Sequence, residues 1–192
     1  MKTLGEIIFN IPNFFVILGV FNKGRLSDFI IDKLTNSIEN VETGEVFDTD
    51  INKLTTATLK LIVKSQWQFD WRKEINDTTK LVYKLSTTKN DKIIQGLVSI
   101  EDKEDHIFLH LVESAKFNKG KEKVYLGVPG NLVAFACQQS IEKGYNGFVA
   151  FDAKTILIEH YKASLGAIHM GGKRMYINDK GANLLIEKYF KQ

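Results

Sequence analysis

A short apolar run, Val124-Tyr125-Leu126, leads into Gly127-Val128-Pro129-Gly130 and then into a helix read from Asn131, an arrangement suited to holding a phosphate. The first amides of a helix lack intrahelical partners and carry partial positive charge, so a glycine turn that opens a helix can cradle phosphate oxygens. Glycine allows the backbone a close approach. Pro129 removes one donor, which leaves the backbone of Leu126, Gly127, Val128, Gly130, Asn131 and Leu132 to form the cradle. Taken alone, the same residues are also a good loop before a helix, and context has to separate the two readings.

Other chemistry-bearing residues stand in less specific settings. In the run His106 to Val112, strand alternation puts His106, Phe108, His110 and Val112 on one face, with Ile107, Leu109, Leu111 and Glu113 on the other. His110 and Glu113 can therefore share a pocket only if a bulge intervenes. Cys137 lies among Ala134, Phe135 and Ala136, where a cysteine is a small buried hydrophobe rather than a nucleophile. His160 and His169 lack the partner spacing of a metal site, and none is expected. Lys116, Lys119, Lys121 and Lys123 form a basic loop next to the glycine turn, either to meet a phosphate or to keep the loop solvated. Trp67, Phe69 and Trp71 either roof an acceptor pocket or pack inward.

The elements that must position these residues follow from periodicity. Residues 1–43 carry no motif and read as an N-terminal extension packing on a main domain of residues 44–192, with a helix expected from Ser27 to Ile38. Glu45 to Ile51 reads as a strand and Thr55 to Ile75 as mostly helix. Leu81 to Leu85, Ile93 to Ile100 and His106 to Val112 read as three strands of an antiparallel meander, with Glu101 to Asp105 as a solvated turn. A helix from Asn131 to Gly144, a buried strand Phe148 to Phe151, a helix Thr155 to Leu165, a strand Arg174 to Ile177 and a helix Ala182 to Phe190 complete the chain. Meander followed by alternating strands and helices implies a mixed sheet of α/β (α+β) class.

Composition excludes several classes. The chain of 192 residues has a hydrophobic fraction of 44% and a charged fraction of 26%, ordinary for one globular domain. A net charge of +3 with interspersed signs predicts no nucleic-acid partner. The apolar stretch Ile7 to Phe21 is broken by Asn10, Pro12 and Asn13, so neither a membrane span nor a signal peptide is expected. A single cysteine rules out an intramolecular disulfide, and a cytoplasmic location is expected.

The order of meander, glycine turn, helix, buried strand and a helix ending Tyr161-Lys162-Ala163-Ser164-Leu165-Gly166-Ala167 resembles the GNAT acyltransferase superfamily over about the last 110 residues. The turn departs from the family pattern: Gly127 and Gly130 are three apart with no leading Arg or Gln, and Lys154 stands where an asparagine is frequent. The resemblance implies acetyl-CoA as acyl donor, its pyrophosphate on the Gly127–Leu132 turn and its arm beside the buried strand. It also implies direct transfer to an amine, with Tyr161 protonating the departing thiolate. Glu113 is then the preferred general base, with His110 as the alternative and a solvated strand end as Glu113's structural reading. The acceptor is a small molecule or a protein, and a homodimer is compatible with the sequence. The competing expectation is a catalytically inactive GNAT-like module that senses CoA or binds a protein.

Overall fold

The computed structural model describes residues 36–190. Most of the expected N-terminal extension and of the Ser27 to Ile38 helix therefore lies outside the described residues. The described end of that helix is instead strand β1 (Ser37–Asn40), built into the sheet.

The remaining strands are β2 (Val46–Lys53), β3 (Lys80–Thr87), β4 (Asn90–Asp102), β5 (Ile107–Ser114), β6 (Tyr125–Leu126), β7 (Val149–Asp152), β8 (Ile168–Gly171) and β9 (Arg174–Ile177). They form one sheet in the order β6-β1-β2-β3-β4-β5-β7-β9-β8. Strands β2 to β5 make the antiparallel meander, and the β5–β7 pair is parallel, as a crossover through a helix requires. The fold class is the mixed, mostly antiparallel sheet with flanking helices that the sequence implies.

Helices α2 (Val128–Glu142), α3 (Ile158–Leu165) and α4 (Asp179–Tyr189) bury Leu132, Val133, Ile158, Leu165 and Leu185 in one core with Leu85, Val98, Ile107 and Val149 of the sheet. A second core holds Trp67, Trp71, Val82, Leu97 and Leu111. Over it lie short 3-10 turns at Thr56–Leu61 and Lys64–Gln66 and the six-residue helix α1 (Trp71–Asn76). This segment was expected to be mostly helix, and the difference has a local cause. The amides of Gln68 and Phe69 donate to the Glu113 carboxylate rather than to carbonyls one turn back, and Val63 points outward at 51% exposure. Strand β8 was not foreseen because it is four residues long and exposed throughout, too short for a period to be read.

Strand β5 carries a bulge. Ser99 pairs with Leu111 and Ile100 with Leu109, so His110 is the extra residue. Ile107 and Leu109 face the larger core before the bulge and Val112 after it, while Leu111 faces the second core. The simple alternation of the strand is thereby shifted by one position, the condition under which His110 and Glu113 come to the same side.

Cys137 is fully buried in α2, and burial pushes its thiol up to about 12. An unfolded thiol titrates near about 8.5, so the folded state favours the protonated form and this contribution is lost as pH rises from about 8.5 toward the folded value. Iodoacetamide at pH 8 is expected to leave native Cys137 unmodified and to label it fully in denaturant; rapid native labelling would mean the helix opens.

Candidate active site

The parallel pairing of β5 with β7 is short. Ile107, Phe108 and Leu109 pair with Val149, Ala150 and Phe151, and no further register is formed, although β5 continues to Ser114. β7 itself ends at Asp152, so β5 runs on from His110 to Ser114 without it. Pairing ends where a bulged residue shifts the β4–β5 ladder and where β7 gives way at Asp152 to the turn before α3.

The glycine turn lies at the start of α2. Gly127 sits at φ 88° and ψ −14°, a left-handed conformation that glycine adopts without a side-chain clash, and the helix has no side-chain cap. Helix α2 begins at Val128, three residues earlier than expected, and the Asn131 amide already bonds the Gly127 carbonyl at 3.0 Å. Asn131 and Leu132 are thus committed to the helix ladder, and the amides of Val128 and Gly130 are those that precede its first bond. A cavity of about 150 Å³ beside the turn is lined by Lys119, Lys123, Leu126, Gly127, Gly130 and Tyr189.

The side chains of the turn serve the fold. Asn131 Nδ2 donates to the carbonyls of Ser37 at 2.9 Å and Gly127 at 3.0 Å, tying the helix start to β1. Leu126 pairs with Glu39 of β1, and Val128 and Leu132 are fully buried over Gly96. A Cβ on Gly130 would stand 2.1 Å from Tyr189 Cζ, so this glycine admits the ring of Tyr189 from α4. The close approach that the sequence suggested for a ligand is here made by the protein's own aromatic ring.

Glu113 is 2% exposed and surrounded by donors. Its Oε1 accepts from the Gln68 amide at 2.7 Å and from Lys119 Nζ at 2.5 Å, and its Oε2 from the Phe69 amide at 3.3 Å and Trp71 Nε1 at 2.8 Å. His110 is differently placed. Its Nε2 lies 2.7 Å from Glu101 Oε2, its ring meets Phe108 edge-on at 4.7 Å, and it lines a cavity of about 290 Å³ with Phe69, Asp70, Lys73, Glu74 and Lys80. Glu101 is held below the usual carboxylate range by Lys103 and then by His110. The sequence assigned Glu101 to a solvated turn; β4 instead runs on to Asp102 and brings its carboxylate to His110. That pairing joins two strands through a bulged register, and neither strand's own pattern announces it.

Tyr161 lies on the buried side of α3, 1% exposed, with its ring edge-on to Phe151 at 5.5 Å. Burial raises the pKa of its hydroxyl, which keeps it protonated and therefore a donor. Trp67 and Trp71 are core residues, whereas Phe69 reaches the His110 cavity. Of the basic loop, Lys119 and Lys123 line the cavity at the start of α2. Among the described residues there is no cluster of His, Cys, Asp and Glu fit to hold a metal ion, and no helix is long and apolar enough to cross a membrane.

No family model and no curated protein matches the chain. Solved structures do. AtaTR bound with acetyl-CoA aligns over 72% of this chain and 98% of its own, at 16% identity and a TM-score of 0.52. A bacterial toxin aligns over 76% and 99%, at 12% identity and a TM-score of 0.53. Spermidine N-acetyltransferase from Vibrio cholerae, in complex with CoA and spermine, aligns over 70% and 98%, at 16% identity and a TM-score of 0.50. At these identities the likeness is one of fold, and the fold is GNAT-like.

Proposed function

We propose that the chain is an acyl-CoA-dependent N-acyltransferase that transfers the acetyl group of acetyl-CoA to an amine. The observation that carries this reading is that β7 leaves β5 unpaired beyond Leu109, on a GNAT-like sheet whose helix α2 starts without a side-chain cap. The pantetheine arm enters between the two strands. Its pyrophosphate meets the backbone of Gly127 and Gly130 and the ammonium groups of Lys119 and Lys123, which line the cavity at the start of α2.

The amine arrives through the cavity at His110. A neutral amine is required for attack, and His110, oriented by Glu101 at 2.7 Å, removes its proton. The nitrogen then bonds to the thioester carbonyl carbon, the C–S bond breaks, and Tyr161 donates to the departing sulfur. Four donors already occupy the oxygens of Glu113, which favours His110 over Glu113 as the base.

The 1% exposure of Tyr161 favours a second reading, a CoA-binding module without turnover, in which that tyrosine is only a core residue. A thermal-shift titration with acetyl-CoA, CoA and ATP tests the cofactor. Ligand at a hundredfold excess over its Kd adds about 2.7 kcal/mol of stability. Stabilisation by the two CoA species and not by ATP is expected; equal stabilisation by ATP, or none at all, rejects an acyl-CoA site. Free thiol released from acetyl-CoA across a panel of amines separates the enzyme from the inert module.

A further inference from the structure

Glu113 touches both cavities through its partners. Lys119, which it pairs with at 2.5 Å, lines the cavity at the start of α2. The Gln68 and Phe69 amides and the Trp71 indole, its other three donors, fix the segment whose Phe69 and Asp70 wall the cavity at His110. The carboxylate is 2% exposed, so each donor it loses has to be replaced from within the protein. Glu113 thus bonds both to a cation of the cofactor cavity and to the backbone of the acceptor wall.

We infer that Glu113 is a positioning residue that couples occupancy of the cofactor cavity to the wall of the acceptor cavity. An anion bound at the start of α2 draws the Lys119 ammonium partly away from Glu113 Oε1. The charge thereby uncovered on the carboxylate shifts onto its remaining donors, tightening the bonds from Gln68, Phe69 and Trp71 and ordering the wall that Phe69 and Asp70 present to the amine. No proton passes through Glu113 in this role. The inference rests on the acyltransferase reading only in that CoA fills the cavity beside Gly127.

The chain supplies its own reporter, because both of its tryptophans, Trp67 and Trp71, lie in this cluster, with ring centroids 6.3 Å apart. A carboxylate bonded to the indole N–H sets the field across the ring, so a change in its charge balance moves the emission. The test titrates CoA into the full chain, reading tryptophan emission and calorimetric heat together, for the wild type and for Lys119→Met. In the wild type a saturable emission shift is expected with the same midpoint as the heat. Lys119→Met is expected to bind CoA about tenfold more weakly, as the loss of one charge-assisted contact implies, and to lose the shift at saturation. The Lys119 side chain is 18% exposed and its partner carboxylate 2%, so the melting temperature of Lys119→Met is measured first and the titration is run below it, on folded protein. Heat without an emission shift in the wild type, or a full shift in Lys119→Met, overturns the coupling and leaves the acyltransferase reading standing. Absence of any CoA heat overturns that reading and the coupling together.

Discussion

Tyr161→Phe is expected to lower kcat about a hundredfold and to leave the dissociation constant for acetyl-CoA unchanged, because the contribution of a positioned proton donor is typically of this size or larger and is made only as the thiolate departs. The substitution is well suited to the site. It keeps the ring that packs edge-on to Phe151 at 5.5 Å and removes only the oxygen, so the core of α3 is retained. The raised pKa of the buried hydroxyl means that the donor is charged with its proton at every pH where the enzyme is assayed. Steady-state kinetics and calorimetry on the same preparation separate the outcomes. Equal losses in turnover and in affinity would remove Tyr161 from the chemistry, and a drop in melting temperature with turnover intact would make it a core tyrosine.

His110→Ala is expected to reduce kcat/KM about a hundredfold at neutral pH, with acetyl-CoA affinity retained, since His110 lines the amine cavity and not the turn at Gly127. The deficit has a distinctive pH dependence. A primary amine of the lysine type carries its proton below about 10.4, so the base is needed at neutral pH and becomes dispensable as the solution itself deprotonates the amine. The gap between wild type and variant should therefore narrow steadily as pH rises. A gap constant from pH 7 to 10 would assign His110 a packing role against Phe108, at 4.7 Å, in place of proton transfer. Glu101 keeps Lys103 at 2.6 Å in the variant, so the substitution does not leave its carboxylate without a cation.

The layout of the molecule was legible in the sequence wherever burial writes a period. The meander, the buried strand at Phe151, the helix through Tyr161 and the glycine turn all fall where apolar spacing and turn residues put them, because each has one face in the core. Strand β8, four residues long and exposed throughout, is too short to write such a period. The segment before α1 carried a helical hint at Leu59, Ile62 and Val63, and tertiary bonds from its amides to Glu113 overrode it.

The site was legible in its parts but not in their relations. Alternation along β5 separates His110 from Glu113, and only the extra residue opposite Ser99 and Ile100 brings them to one side. A bulge leaves no mark in a strand of apolar and polar residues such as HIFLHLV. Glu113 is preferred as base in the sequence because it ends the strand where a polar group can reach the cleft; the second core formed by Trp67 and Trp71 closes over that end, and Gln68, Phe69 and Trp71 together with Lys119 supply four donors. Gly130 reads as room for a phosphate; the room on its Cβ side is taken by Tyr189 from a helix about sixty residues further along the chain, which leaves its cavity-facing backbone for a ligand.

The most direct measurement is a crystal structure of the full chain with CoA. The pyrophosphate is expected beside the backbone of Gly127 and Gly130, and the sulfur between the unpaired part of β5 and the end of β7, within about 3.5 Å of the Tyr161 hydroxyl. CoA bound on another face, with β5 and β7 closed over a still-covered Tyr161, would contradict it.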